Sequence, residues 1–248
     1  MYSGFKRVVN TILPQRLRQR LEPCLRYCLK WLYYGKRYHC PCCNTGLRKF
    51  VANNNICPVC GSGKRHRFQW LFLDRKCDLF RTTKSVLDIA PMRHFQDYCI
   101  RYTQLNYRSA DLDSELAMDK IDLTATTYHD NSFDFILCSH VLEHILNDQQ
   151  AIAEMYRILK PGGTTIIQVP LQDAPTYENP DIITPEERLI HFGQSDHVRI
   201  YGLDIKERLI AAGFQIHVEK CSDILLDNEI VYYGLNKTEI LFVGYKQY

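Results

Sequence analysis

From about residue 84 onward the chain alternates short apolar runs with helical patterns, and this alternation constrains the fold more than any other feature. The runs Ser85–Ala90, Gln104–Ser109, Lys120–Leu123, Phe133–Ser139, Thr164–Val169, Gln215–Lys220 and Glu239–Lys246 read as strands. Helical patterns cover Pro91–Arg101, Asp148–Leu159 and Asp204–Ala212. Strands separated by helices need crossover connections, and so build a mostly parallel sheet covered on both faces. The last two strands have no helix between them, so they add an antiparallel pair at one edge. The expected fold class is α/β, with seven strands.

A second feature precedes the sheet. Of 11 cysteines, five fall between Cys40 and Cys60. Cys40-Pro41-Cys42-Cys43 is followed after 13 residues by Cys57-Pro58-Val59-Cys60. Taking Cys40 with Cys43 gives two C-x2-C pairs, the spacing with which four thiolates close a tetrahedral zinc site. Cys42 competes with Cys43 as the ligand. Each turn must fold back onto its sulfurs, and the residues that follow, Asn44 and Gly61, both tolerate a left-handed backbone. A site with four cysteine ligands is closed, so its Zn²⁺ would be structural: it would hold together a module too small to bury a core. The remaining cysteines are scattered singly, as free thiols in a reducing compartment would be. His39 and His66 flank the module and read as solvent-facing or supporting residues.

The charge is divided along the chain. Residues 1–67 carry 14 Lys and Arg against one acid, Glu22, whereas residues 68–248 carry 17 against 27 acids. Residues 1–39 form a basic, aromatic arm in which Leu13, Leu17, Leu21, Leu25 and Leu29 recur at helical spacing. Pro14 and Pro23 split it into two or three short helices. Such an arm either packs on the body with a solvated basic face or meets an anionic surface, a membrane or a nucleic acid. No apolar run approaches the ~20 residues of a membrane-spanning helix, and the N-terminus lacks a secretory signal pattern. The expected location is cytoplasmic, with peripheral contact to the inner face of a membrane as an option. The domain expectation is a basic helical arm over 1–39, a zinc-ribbon-like module over 40–67, a helical connector over 68–83 and an αβ domain over 84–248. Arg65 and Arg67, in Ser62-Gly63-Lys64-Arg65-His66-Arg67, form a cation cluster suited to an anionic group of a substrate, or a solvated turn.

Within the αβ region, Val86-Leu87-Asp88-Ile89-Ala90-Pro91 ends a strand in an acid, Ser109-Ala110-Asp111-Leu112 follows the second strand, and Ile121-Asp122-Leu123 stands at the third. Then come Phe133-Asp134-Phe135-Ile136, Ser139-His140-Val141-Leu142-Glu143-His144 and Arg157-Ile158-Leu159-Lys160-Pro161-Gly162-Gly163. This order and spacing resemble the class I S-adenosylmethionine-dependent methyltransferases, in particular the large type 11-like group. The resemblance covers about residues 84–246 and implies a Rossmann-like sheet. It implies that S-adenosylmethionine lies against Asp88 and Ala90, with its ribose on Asp111, its adenine near Asp122 and Leu123, and its sulfonium near Ser139 and His140. Lys160–Gly163 is expected to be the turn into the fifth strand. The first motif departs from the family: its glycine-rich loop reads Asp88-Ile89-Ala90-Pro91 here, and no glycine occurs between Gly63 and Gly162.

An insertion over about 171–202 follows the fifth strand. It ends in His191-Phe192-Gly193-Gln194-Ser195-Asp196-His197-Val198-Arg199-Ile200-Tyr201. Its density of polar groups, beyond a strand whose carboxyl end faces the site, reads either as an acceptor-binding lid or as a structural polar network. In the first reading Gln194, Asp196, Arg199 and Tyr201 touch the acceptor, and His140, His191 and His197 are candidate bases. Three functional readings follow. The first is a methyltransferase for a small or carbohydrate-type acceptor, such as a nucleotide- or lipid-linked sugar; a zinc module before a methyltransferase domain is similar to the sugar C-methyltransferases. The second is an RNA methyltransferase that holds nucleic acid on the zinc ribbon and basic arm, against which the acidic body weighs. The third is a non-catalytic binding protein whose cofactor loop has decayed.

Overall fold

The computed structural model describes Arg26, residues 29–53 and residues 55–248. The helices expected over residues 1–25 lie outside the described residues. By internal contacts the chain forms two compact units, Met1–Leu79 with Lys220–Glu239, and Phe80–Glu219 with Ile240–Tyr248.

In the first unit, β1 (Tyr34–Cys40) pairs antiparallel with β2 (Thr45–Leu47), bringing Cys40 opposite Thr45. The hairpin between them holds Asn44 at φ +48°, and the second cysteine turn holds Gly61 at φ +80°. Both are the left-handed positions that their residue types anticipate. Helix α1 (Lys64–Arg75) follows, and buries Phe68, Leu71 and Phe72 together with Trp70 and Leu73. It starts inside the segment assigned to the cysteine module, so the expected boundary at 67/68 cuts through a helix. Two short helices, Cys221–Ile224 and Asp227–Tyr232, belong to this same unit. His39 stacks on Tyr232 with ring centroids 5.8 Å apart. The αβ domain is therefore not one uninterrupted segment from 84 to 248: residues 220–239 leave it between its last two strands.

The second unit is built on β3 (Ser85–Ile89), α2 (Arg93–Tyr102), β4 (Asn106–Asp111), β5 (Asp119–Lys120), β6 (Phe133–Ser139), α3 (Asp148–Ile158), β7 (Leu159–Gln168), β8 (Tyr177–Glu178), α4 (Pro185–Phe192), β9 (Arg199–Ile200), α5 (Ile205–Ala211), β10 (Gln215–Lys220) and β11 (Ile240–Tyr245). Its seven-stranded sheet has the order β10-β11-β7-β6-β3-β4-β5. Strands β5, β4, β3, β6 and β7 run parallel, and β11 lies antiparallel against β7. Central β6 is apolar and buried over almost its whole length, as a strand covered on both faces must be. Helix α3 begins where the Asn147 side chain accepts a hydrogen bond from the Gln150 N–H. It turns Ala151, Ile152, Met155 and Ile158 into the core beside Leu87, Ile136, Ile167 and Phe242.

Two local expectations are corrected. The third strand is only Asp119–Lys120, because the Asp122 carboxylate accepts from the Thr124 N–H and hydroxyl and turns the chain out of the sheet. Lys160–Gly163 is the bulged start of β7 and not a separate turn: Gly162 and Gly163 exchange backbone hydrogen bonds with Lys246. Gly162 has φ +76°, and a Cβ there would meet the Tyr248 hydroxyl at 2.5 Å. Among the described residues, no helix is long and apolar enough to cross a membrane.

Candidate functional site at the carboxyl edge of the sheet

Strand β3 is the point where the sheet reverses direction: its chain continuation β4 lies on one side and β6 on the other. In open α/β sheets, ligands bind outside the carboxyl ends of the strands at such a point. The register brings Ile89, Ala110 and Cys138 level across β4, β3 and β6, and Ser139 level with Gln168 of β7. The residues next in sequence, Ala90, Asp111 and Ser139, therefore emerge together at one edge, with His140 one position further along. Ala90 is exposed and has φ +54°, while His140 has φ +56°. These are left-handed conformations that cost an ordinary L-residue about 1–2 kcal/mol, and such strain concentrates at binding sites. Ala90 thus takes the backbone conformation for which glycine is suited. The glycine-free loop keeps an open edge, with Ala90 N–H bonded to the Ala110 carbonyl at 2.9 Å.

Asp111 folds its Oδ1 back onto the N–H groups of Asp113 and Ser114, each at 2.8 Å. That fixes the carboxylate at the end of β4 and leaves Oδ2 for a diol. Ser139 stands half-buried, its hydroxyl 3.3 Å from Oε1 of the buried Gln168. Asp88 differs from expectation. Its carboxyl is buried and accepts a 2.7 Å hydrogen bond from the Tyr107 hydroxyl, and burial pushes its pKa up to about 7. It supports the β3–β4 pair from within and does not open to a ligand. Leu123 is likewise packed in the core, whereas Asp122 is exposed and caps its own turn, one residue after Ile121, whose N–H bonds the Asp111 carbonyl at 3.0 Å.

Beyond β6 the chain makes a single turn of 3-10 helix, Leu142–His144, that gathers a cluster which the sequence reading missed. Glu143 is 1% exposed, and neither of its carboxylate oxygens accepts a hydrogen bond. His140 Nδ1 lies 3.0 Å from Glu143 Oε1, within ion-pair range but outside hydrogen-bond geometry. His197 reaches the same place from the insertion, buried, with its ring 4.7 Å from that of His144 and nearly perpendicular to it. Burial, and then the neighbouring His144, hold His197 below the ordinary imidazole range. Exposed Asp196 places Oδ2 3.3 Å from His144 Nδ1. Of the three predicted bases, His140 and His197 come together. His191 lies apart, against the Tyr177 hydroxyl at 3.0 Å. The available signal was the spacing of His140, Glu143 and His144 within about one helical turn.

The rest of the insertion is largely structural. Arg199 is buried, donates to Glu178 and to the carbonyls of Leu142, Ile145 and Leu146, and lies 3.8 Å from Asp148. Tyr201 is fully buried and donates to Asp148 at 2.6 Å. Arg208 completes the network through Asp148 and Glu178. Arg199 and Tyr201, expected on the acceptor, instead pin the insertion to α3, while Gln194 stays exposed.

In the first unit, the Sγ atoms of Cys40, Cys43, Cys57 and Cys60 all lie within 4.8 Å of one another. The Cys40–Cys60 and Cys43–Cys57 separations are 3.7 and 3.8 Å. A tetrahedron with metal–sulfur bonds of about 2.3 Å has edges of about 3.8 Å, so the donor set fits Zn²⁺. Cys42 turns its thiol to the His66 carbonyl, which leaves Cys43 as the fourth ligand. Arg67, expected on a substrate anion, is fully buried. Its guanidinium donates to the carbonyls of Asn55, Ser62, Tyr233 and Gly234 and lies over the Phe50 ring. Those contacts occupy four of its five N–H donors, whereas Arg65 remains exposed.

Residues 87–167 match the family model described as a methyltransferase domain. The ubiquinone/menaquinone biosynthesis C-methyltransferase of Hydrogenovibrio crunogenus is 38% identical over 61 residues, 23% of this chain and 24% of that protein. The demethylmenaquinone methyltransferase of Renibacterium salmoninarum is 41% identical over 46 residues, 18% of this chain and 19% of that one. The matched stretches thus span at most about a quarter of these relatives' lengths. The phosphoethanolamine N-methyltransferase 2 of Haemonchus contortus in complex with S-adenosyl-L-methionine superposes with a TM-score of 0.51 at 18% identity, over 72% of this chain and 52% of that one. The [4+2]-cyclase SpnF superposes with a TM-score of 0.51 at 15% identity, over 75% and 84%. Strand order, switch-point edge and sequence motifs agree with these matches: the αβ unit is a class I S-adenosylmethionine-dependent methyltransferase domain.

Proposed function

We propose that this chain transfers a methyl group from S-adenosylmethionine to a small, oxygen-bearing acceptor of the carbohydrate or hydroxylated-ring type. The observation that carries this reading is the aligned edge of Ala90, Asp111, Ser139 and His140 at the switch point. When bound, the cofactor supplies an electrophilic methyl, so the protein's task is chiefly proximity and orientation, worth roughly 7–11 kcal/mol. Asp111 Oδ2 accepts from the ribose hydroxyls, and the open backbone at Ala90 admits the amino-acid part. His140 takes the acceptor proton where there is one to remove, and the Glu143 carboxylate beside it favours the imidazolium so formed. Zn²⁺ on Cys40, Cys43, Cys57 and Cys60 is structural, because four protein thiolates leave no open position.

One relative is named a ubiquinone/menaquinone biosynthesis C-methyltransferase and another a demethylmenaquinone methyltransferase, which supports an acceptor of the hydroxylated-ring type. The burial of Arg67 removes one cation of the Ser62–Arg67 cluster beside the zinc ribbon on which, with the basic arm, an RNA reading depended. The test is release of S-adenosylhomocysteine with nucleotide-linked sugars and with phenolic or quinol compounds. Turnover on one class, reduced about 100-fold or more in His140→Gln, is expected from a positioned base. A chain that binds the cofactor but turns over on neither class would overturn the acceptor assignment.

A further inference from the structure

The cluster beyond β6 contains a pair of features that methyl transfer alone does not require. A glutamate 1% exposed carries two oxygens without hydrogen-bond partners, in a position where an unpaired carboxylate is costly. Two imidazoles, one of them buried, stand beside it. One ligand atom from each of Glu143, His144 and His197 lies within 4.8 Å of the others. Two histidines and one carboxylate are a donor set for a divalent transition metal that keeps coordination positions open. The outer contacts agree. His144 Nδ1 lies 3.2 Å from the Asp196 backbone carbonyl and 3.3 Å from its Oδ2, so Asp196 can hold that N–H and leave Nε2 to the metal, as outer carbonyls and carboxylates do in protein metal sites. The Val198 N–H bonded to the Glu143 carbonyl at 2.9 Å fixes the insertion against the turn, so His197 is delivered by backbone rather than by a free loop. Glu143 and His197 close the inner side, whereas His144 is a third exposed, which leaves access from the outer side.

We propose that Glu143, His144 and His197 form a divalent-metal site at the carboxyl edge of the sheet, distinct from the cysteine site and open to an oxygen of the methyl acceptor. Its place next to His140 rests on the methyltransferase reading; its existence as a metal site does not. A cation there orients an oxygen-bearing acceptor and takes up Glu143 Oε2, while Oε1 stays 3.0 Å from His140 Nδ1.

The probe is Co²⁺ titrated into zinc-loaded protein and followed by visible absorption. Oxygen and nitrogen ligands give weak d–d bands, while displacement of zinc from the thiolates would announce itself by intense charge-transfer bands. One Co²⁺ per chain with d–d bands alone is expected. Its affinity should fall more than about tenfold in Glu143→Gln and in His197→Asn, and stay unchanged in His217→Gln, an exposed histidine on β10. Because either site variant could fold poorly, the wild type is also treated with diethyl pyrocarbonate, and Co²⁺ should protect His144 from modification. Absence of d–d bands at millimolar Co²⁺, or variants and His144 reactivity indifferent to the metal, would overturn the proposal. Neither result bears on cofactor binding, which is measured separately.

Discussion

Two residues carry opposite kinds of cost at the switch point. Ala90 stores backbone strain, and Asp88 stores an unfavourable burial. Replacing Ala90 by glycine relieves a left-handed conformation worth about 1–2 kcal/mol while adding about 0.5–1 kcal/mol of chain entropy. Ala90→Gly should therefore be neutral to slightly more stable in thermal melts and bind cofactor no more weakly; a clear loss of stability would contradict the assigned conformation. For Asp88, the folded pKa of about 7 lies above the ordinary value of 3.8. Between those values the unfolded chain has released a proton that the folded chain still holds. Stability from this group is thus full below about pH 4, falls as pH rises to about 7, and is flat above, an effect on the order of 4 kcal/mol at most. Asp88→Asn should flatten that slope in denaturation midpoints measured from pH 4 to 8. An unchanged slope would show that the carboxyl is solvated.

At the scale of elements, the insertion is held by a charge network and not by an apolar core. Asp148 accepts from Tyr201 and Arg208 and lies beside Arg199, whose side chain is 5% exposed. Asp148→Asn leaves buried Arg199 and half-buried Arg208 with Glu178 as their one carboxylate partner and should cost about 3 kcal/mol, read as a lower melting midpoint and faster proteolysis within 171–202. Tyr201→Phe should cost less, about 1 kcal/mol, since it removes one hydrogen bond and leaves the charges paired. Much at this scale was legible in the sequence. Strand Phe133–Ser139 needed only its apolar run from Phe135 to Cys138, and helix Asp148–Ile158 its periodicity. The polar side chains were not legible, because their fate depends on partners distant in sequence. Arg199 and Tyr201 looked like acceptor contacts until Asp148, about fifty residues away, claimed them. The edge residue Asp111 was legible because the strand's end fixes it, whereas Glu143 was hidden in a motif whose only signal was the spacing of His140, Glu143 and His144.

At the scale of the whole molecule, the cysteine module and the 220–239 segment belong to one unit although the intervening chain builds the sheet. Arg67 shows how the unit is tied, its guanidinium spanning carbonyls from both segments. Lysine cannot reproduce that fork. Arg67→Lys should therefore release zinc to a chelator markedly faster and leave at least one buried carbonyl unpaired, a cost of about 1–3 kcal/mol. Chelation of the wild type should raise amide exchange across 34–75 and 221–239 together, while β3, β6 and β7 stay protected. Uniform exchange over the chain would mean that the zinc unit and the sheet unfold as one.

The central claim is that the carboxyl edge of this sheet binds S-adenosylmethionine despite its glycine-free first loop. Titration calorimetry of the zinc-loaded protein with S-adenosylmethionine and S-adenosylhomocysteine, beside Asp111→Ala, tests it most directly. The account predicts binding in the micromolar range for both ligands, weakened at least about tenfold in the variant, the loss of one charged hydrogen-bond acceptor. No binding of either ligand at millimolar concentration, or equal binding by Asp111→Ala, would contradict it.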